Sequence, residues 1–310
     1  MFASRNSNTT DSNFKIVELL LKSGSEPNFQ TNSGYTALIL ACLHSSSDSS
    51  LETAKILLDY GAKINIQNYE GNTALSIAIM NYDTTSSFDT IKLLLDHGAD
   101  VNIQSIIGGN TPLMMIAGRK TGFRNLEIVQ MLLERGANPY LMNKNNETAF
   151  SLAANNIQAP NIFEIVNLLS NVTTDITYIN TKDLISLIST KNPMAIKIVQ
   201  RFIDRGVQPL KGTPFFHKVC EDDKLYKFFR QKIALEYIKY NILSSIKSTH
   251  AKRWYQPENL RSKLIAINFE LNNGKVNESY EKNKDLRDYF GIADSEMFRL
   301  KISENVKYMD

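Results

Sequence analysis

The sequence predicts an all-α fold: an α-solenoid of stacked helix–turn–helix repeats with finger turns, followed by a small helical C-terminal segment. One phrase recurs along the 310 residues, as LLLKSGSEPNFQ (19–30), ILLDYGAKINIQ (56–67), LLLDHGADVNIQ (93–104), MLLERGANPYLM (131–142) and RFIDRGVQPLKG (201–212). Its glycines lie 37, 37, 38 and 70 residues apart: Gly24, Gly61, Gly98, Gly136 and Gly206. A fixed period in this range is typical of solenoids, in which each copy packs on its neighbours.

The first element of each copy is an apolar helix that ends at the glycine. Three examples are LETAKILLDY (51–60), FDTIKLLLDH (88–97) and LEIVQMLLER (126–135). In the second, Ile91, Leu94 and Leu95 stand at i, i+3 and i+4 and predict one buried stripe. The glycine follows where the chain must turn left-handed, a conformation that costs little only without a Cβ. The five glycines are therefore predicted to be structural.

A short extended stretch and a polar turn follow each glycine, and a threonine then opens a second, shorter helix. These helices are predicted at TALILACLH (36–44), TALSIAIMN (73–81), TPLMMIAGR (111–119) and TAFSLAANN (148–156). A threonine side chain can accept a hydrogen bond from a free backbone N–H at a helix start. Pro112 stands at the first helical position, where its missing N–H would have no helical partner.

The combined pattern resembles the ankyrin repeat: G-x-T-[AP]-L-x-x-A, a helix ending in L-L-x-x-G-A, and then D-V-N. GNTALSIA (71–78) and LLLDHGADVN (93–102) are strong matches, and the resemblance covers about residues 1–220. The copy number and Asn-rich spacers are similar to those of the ankyrin families of giant DNA viruses of amoebae. The resemblance implies a non-catalytic scaffold that binds a partner protein on the concave face and finger tips of the solenoid.

The same reasoning predicts the domain organisation. Residues 1–248 would form an array of about six to seven units, in which the first is truncated and those between 140 and 220 are degenerate. A long helix at 223–247 would close the array, and residues 249–310 would form a helical cap or small module. Because Met1 aligns with Leu38, either the first helix is half-formed or the coding start lies upstream.

These copies are longer than the ankyrin unit of about 33 residues. The extra residues lie between the two helices, in HSSSDSS (44–50), NYDTTSSFD (81–89) and GRKTGFRN (118–125). Lengthening a surface loop costs little free energy, so we interpret them as tolerated insertions. The alternative is that three loops on one edge form a second contact surface.

The candidate partner-binding residues fall into two groups. Apolar side chains at the turn tips, Tyr69, Ile106 and Ile107, indicate either partner binding or packing against a neighbouring tip. Glu70 and Asn145 accompany them. Variable residues near the ends of the short helices are the candidates for specificity: Leu43, His44, Met80, Asn81, Arg119 and Asn155.

The bulk composition is that of an average soluble protein, with 43% hydrophobic and 22% charged residues and a net charge of +3. Two cysteines, Cys42 and Cys220, cannot form a disulfide framework and indicate a reducing compartment. No secretory signal or long apolar run is present. We therefore expect an intracellular, cytoplasmic protein (in the host cytoplasm if viral) that is monomeric and binds no membrane, cofactor, metal or small-molecule substrate.

No motif indicates an enzyme. The histidines His44, His97, His217 and His250 have no H-E-x-x-H or Cys-x-x-Cys near them, and there is no phosphate loop or G-x-S-x-G. Cys42 stands where the repeat requires a small apolar residue, which favours a core position over a nucleophile. We therefore expect no catalysis.

The C-terminal segment leaves two alternatives open. Residues 211–310 carry 19 Lys and Arg against 14 Asp and Glu, and Lys252, Arg253, Trp254 and Tyr255 mix cations with aromatic rings, as nucleic-acid surfaces do. Pro257 before a leucine-rich helix is similar to the F-box-like ends of poxvirus ankyrin proteins. The segment is interpreted as a solvated helical cap, with weak nucleic-acid association and a ubiquitin-ligase adaptor role as the alternatives.

Overall fold

The computed structural model describes residues 13–44, 48–156, 161–209, 213–229 and 232. The described residues form helices and turns with no β-strand, which confirms the all-α prediction. Predictions for the first 12 residues, for the closing helix beyond 232 and for the segment 249–310 lie outside this part of the chain. Of the predicted closing helix, residues 223–229 are helical.

Two kinds of helix alternate along the chain. The short helices, called inner helices here, are α2 (Ala37–Leu43), α4 (Ala74–Met80), α6 (Pro112–Ala117) and α8 (Ala149–Ala154). The longer helices that precede or follow them, called outer helices, are α1 (Asn13–Lys22), α3 (Asp48–Asp59), α5 (Phe88–Asp96), α7 (Asn125–Glu134) and α9 (Ile162–Val172). Three further helices follow in chain order: α10 (Thr181–Ser189), α11 (Pro193–Asp204) and α12 (Pro214–Glu221).

The chain divides into two compact units, Met1–Ile198 and Val199–Asp310. In the first unit, each inner helix packs on the outer helix that follows it in the chain. Each also packs on the next inner helix, and the last of them, α8, packs on α10 instead. Inner-helix residues such as Ala41, Ala78 and Ala153 are fully buried, as close helix packing requires. In the second unit, Phe202, Phe215 and other apolar residues are buried, and the Phe216 and Phe229 rings meet edge to face.

Threonine begins all four inner helices as the sequence predicts. The hydroxyls of Thr36, Thr73, Thr111 and Thr148 each accept a hydrogen bond from the backbone N–H three residues later. Each hydroxyl thereby satisfies one of the backbone donors that a helix start leaves unpaired, and removing such a cap costs about 1 kcal/mol. Pro112 occupies the first turn of α6. The inner helices therefore begin at fixed positions relative to the turns before them.

The helices that end in the recurring phrase stop at its glycine; they are α1, α3, α5, α7 and α11. The φ angles of Gly24, Gly61, Gly98, Gly136 and Gly206 are +87°, +83°, +75°, +83° and +112°. At Gly98, nothing lies within 4 Å of the position that a Cβ would take. Glycine is therefore favoured there by the left-handed backbone and not by lack of space.

Candidate protein-interaction surface

Four finger turns connect the outer helices to the inner helices. We call them fingers 1 to 4, and their tips comprise residues 31–35, 68–72, 105–110 and 143–147. A backbone hydrogen bond closes each tip, from the first residue's N–H to the last residue's carbonyl, with N···O distances of 2.9 to 3.0 Å. In fingers 2 and 4 the buried side chains of Asn68 and Asn143 accept from two backbone N–H groups of the same tip. The tips are thus closed turns with defined backbones.

Backbone hydrogen bonds join each tip to the next. Tyr69 N donates to the Ser33 carbonyl at 3.3 Å, Ile106 N to the Glu70 carbonyl at 2.7 Å, and Lys144 N to the Gly108 carbonyl at 3.0 Å. Because one such bond joins each pair of neighbouring tips, the four tips form one continuous row. A partner that meets this row encounters groups whose positions are already fixed.

A row of glutamines holds the bases of the fingers together. Gln30, Gln67 and Gln104 each donate from Nε2 to a carbonyl at their own tip and to a carbonyl of the next finger. For Gln104 these acceptors are Gly109 and Met142, at 2.6 and 2.8 Å. One side chain therefore closes its own finger and joins two fingers.

A row of asparagines makes a second set of links between repeats. Asn28 and Asn102 each donate to the carbonyl of the next repeat's glycine and accept from a backbone N–H two residues after that glycine. Asn65 accepts from the equivalent N–H, that of Asp100, at 2.9 Å. Our sequence reasoning missed both rows, although N-x-Q recurs in PNFQ, INIQ and VNIQ with the repeat period. That recurrence was the available signal.

Finger 4 ends both rows. Tyr140 stands at the asparagine position, and its hydroxyl lies 3.2 Å from the Val172 carbonyl and 3.1 Å from the Thr174 backbone N. Its ring lies 5.0 Å from that of Tyr178. Met142 replaces the glutamine. The longer Tyr140 side chain thereby links finger 4 to the stretch after α9, where no finger follows.

The apolar tip residues are well exposed although their backbones are bound to neighbouring tips. Tyr69 is 68% exposed, Ile106 57% and Ile107 70%. Tyr69 Cδ1 would lie 2.8 Å from a Cβ built on Gly34, and Ile106 Cγ1 2.7 Å from one on Gly71. Both side chains thus rest against the preceding tip and still present most of their surface to solvent.

The polar candidates at the tips have partners within their own fingers. Glu70 Oε2 accepts from Asn72 Nδ2 at 3.1 Å. The Asn145 backbone N–H donates to Asn143, and its side chain lies 3.4 Å from Glu147. These bonds hold the polar side chains in place without covering them, because Glu70 and Asn145 remain exposed.

The candidates near the ends of the inner helices differ in what holds them. Leu43 and His44 are half-buried, and Met80 is exposed. Asn81 donates to the Ile77 carbonyl, and its own carbonyl accepts from three backbone N–H groups of the following loop. Asn155 donates to Asp183 at 3.0 Å. Asn81 and Asn155 therefore also shape the loops that follow their helices.

Arg119 joins two repeats at the loop edge. Its guanidinium donates to the carbonyls of Ile79, Met80 and Tyr82, and it lies over the Tyr82 ring. The carbonyl of Arg119 in turn accepts from Asn156. The residues interpreted from sequence as tolerated insertions thus make hydrogen bonds from one repeat to the next. Phe123 in the same loop is 85% exposed.

Two side chains that could act as a nucleophile or a ligand, Cys42 and His97, are buried or bonded within the fold. Cys42 is fully buried, and burial raises the pKa of its thiol to about 12. His97 uses Nδ1 to bond the Leu93 carbonyl within its own helix. Within the described ranges, no group of three or more His, Cys, Asp or Glu residues could hold a metal ion.

Asp183 is the charged residue that the described part of the chain buries. It accepts from the Ser151 hydroxyl at 2.6 Å and from Asn155 at 3.0 Å, and so joins α8 to α10. Burial raises the pKa of its carboxyl, the two hydrogen bonds oppose that shift, and the charge of Glu147 adds to it. The carboxyl therefore joins two repeats at an electrostatic cost.

Comparison with known families agrees with this geometry. Residues 1–105 match the family described as Ankyrin repeats (3 copies), and residues 108–144 match Ankyrin repeat. No curated protein matches the chain, so the resemblance to giant-virus families has no support from a relative. None of the helices in the described ranges has the length and apolar character that a membrane span requires.

Ankyrin repeats generally mediate protein–protein interaction and are typically non-catalytic, and no family of enzymes matches the chain. Residues 1–105 and 108–144 are ankyrin repeats, and the described residues of the chain form helices and turns without strands, consistent with an all-α ankyrin solenoid.

Proposed function

We propose that the chain is a non-catalytic scaffold that binds one partner protein across the row of finger tips and the adjoining inner-helix face. The observation that carries this proposal is the exposure of Tyr69, Ile106 and Ile107 on tips whose backbones are bonded to one another. A backbone that is already fixed loses little conformational entropy when a partner covers the side chains it carries, so more of the contact energy remains as affinity.

The residues near the inner-helix ends would contribute differently. The half-buried Leu43 and His44 and the exposed Met80 would contact the partner directly. Asn81, Arg119 and Asn155 would also shape the loop edge, because each bonds its own or a neighbouring repeat. Binding energy is usually concentrated in a few well-packed aromatic or large side chains. We therefore expect Tyr69 and Ile107 to dominate.

The test compares three full-length baits in a lysate of cells that naturally express the chain: the wild type, the double variant Tyr69→Ser with Ile107→Ser, and Phe123→Ser. The last removes a ring that is even more exposed than that of Tyr69, from the loop edge. We expect the wild type and Phe123→Ser to retain the same protein and the double variant to lose it, as measured by quantitative mass spectrometry. Retention of the protein by the double variant would refute the proposal, and so would its loss by Phe123→Ser.

The ligase-adaptor and nucleic-acid alternatives concern residues 249–310, which lie outside the described residues, and they stay predictions. The same experiment addresses them: ligase subunits would appear with all three baits. Nucleic-acid binding would weaken steeply with salt.

A further inference from the structure

The finger tips and the inner helices, to which we assign the direct contacts with the partner, contain very few charges. The inner helices α2, α4, α6 and α8 have no Asp, Glu, Lys or Arg. When the finger tips and the residues that connect them to these helices are added, the charged residues are Glu70, Lys144 and Glu147. Two of these are engaged within their fingers, because Glu70 accepts from Asn72 and Glu147 accepts from Asn143.

The outer helices of the same repeats are different. Each of α1, α3, α5 and α7 carries two to four charged residues, among them Lys15 and Glu18 in α1 and Lys92 and Asp96 in α5. The scarcity of charge is therefore a property of the finger tips and inner helices and not of the chain, which is 22% charged.

From this contrast we infer that the partner presents an uncharged segment with aliphatic or aromatic side chains to the finger row. A charged segment would lose hydration against this surface and gain little opposite charge in return, which is unfavourable. An uncharged apolar segment gains from burial of Tyr69, Ile106 and Ile107 at about 25 cal/mol per Å² of apolar surface covered. The inference rests on the proposed function and adds the chemical class of the partner.

The same chemistry determines how the partner associates. With so few charges on the surface, encounter is steered little, and association at about 10⁵–10⁶ M⁻¹s⁻¹ is expected. The affinity then depends on fit and on apolar area, which added salt does not screen. Insensitivity to salt is therefore the distinguishing property of this surface.

The experiment selects peptides from a random phage-displayed library on the immobilised full-length chain. An enriched peptide is synthesised, and its Kd is measured by fluorescence anisotropy from about 0.1 to about 1 M NaCl, where the Debye length falls from about 10 to about 3 Å. The chains compared are the wild type, Ile107→Ser and, as the matched control on the loop edge, Phe123→Ser.

We expect enriched peptides without net charge, rich in aliphatic or aromatic residues, with a Kd that changes less than about twofold over this range. Ile107→Ser should weaken binding about tenfold or more, and Phe123→Ser should not. Charged peptides that lose affinity with salt but still need Ile107 would overturn the inference and leave the proposed function intact. Peptides indifferent to Ile107→Ser would overturn the proposed function. Absence of any enrichment also counts against the inference, because a rigid apolar surface should retain short apolar segments.

Discussion

The fingered repeats and the repeat after them end their outer helices in different ways. Before each finger the outer helix stops at a left-handed glycine, and 14 or 15 residues separate the end of that helix from the start of the next one. Helix α9 has no glycine: it runs to Val172, Thr173 follows with φ −83°, and eight residues connect it to α10. Gly206 is also left-handed, yet only nine residues separate α11 from α12.

The comparison shows what the glycine is for. A left-handed glycine accompanies every finger, because the chain must leave the helix abruptly to enter the extended stretch. The connection after α11 is shorter although its glycine is also left-handed, so the glycine alone does not set the length of the connection. What distinguishes the fingered part is the set of Asn and Gln side chains that bond each finger to the next.

The largest expected effect separates two glycines of the fingered part. Gly71→Ala should destabilise the protein by about 3–5 kcal/mol, because φ is +79° and the new Cβ would collide with the backbone N of Ile106. Gly98→Ala should cost only about 1–2 kcal/mol, since φ is +75° but the space is open. Urea denaturation of both variants measures the difference. Equal losses would mean that the contact between fingers 2 and 3 is not tight.

A second prediction tests the asparagine row. Asn102→Ala removes the bonds to the Gly136 carbonyl and the Asn138 N–H, and we expect a loss of about 1–3 kcal/mol in the free energy of unfolding. The matched control is Asn145→Ala, whose side chain makes no bond to another finger in the described structure and should change stability by less than about 0.5 kcal/mol. If the two variants melt alike, the row contributes nothing to the stacking of repeats.

The sequence predicted the helices, their threonine caps and their glycines because these depend on local chemistry that recurs in register. The sequence does not predict the Asn and Gln rows, because bonds between side chains and neighbouring repeats leave no local signature beyond the recurring N-x-Q spacing. Arg119 could not be placed from sequence, because its three acceptors lie 37 to 40 residues earlier in the chain. The tip residues Tyr69, Ile106 and Ile107 were identifiable because apolar side chains break a polar turn pattern.

A third prediction addresses the link between finger 4 and the stretch after α9. Tyr140→Phe removes the hydroxyl that bonds Val172 and Thr174 but keeps the ring against Tyr178. We expect a loss of about 1 kcal/mol, measured by thermal unfolding. Tyr178→Phe is the control, because it leaves the Tyr140 hydroxyl in place. A loss confined to Tyr178→Phe would contradict the role assigned to Tyr140.

The smallest expected effect is a change in the pH dependence of stability. It distinguishes two aspartates that follow finger 4, Asp175 and Asp183. Burial raises the pKa of Asp183 above its ordinary value of 3.8, so its ionisation opposes folding, and wild-type stability falls as pH rises through the raised pKa. Hydrogen bonds from Thr177 lower the pKa of the exposed Asp175, which therefore stabilises the fold above pH 3.8 and loses that contribution as pH falls. Melting temperatures between about pH 2 and 7 should thus show Asp183→Asn gaining on the wild type as pH rises and Asp175→Asn falling behind it. The same slope for both variants would mean that Asp183 is not held in a desolvated site between α8 and α10.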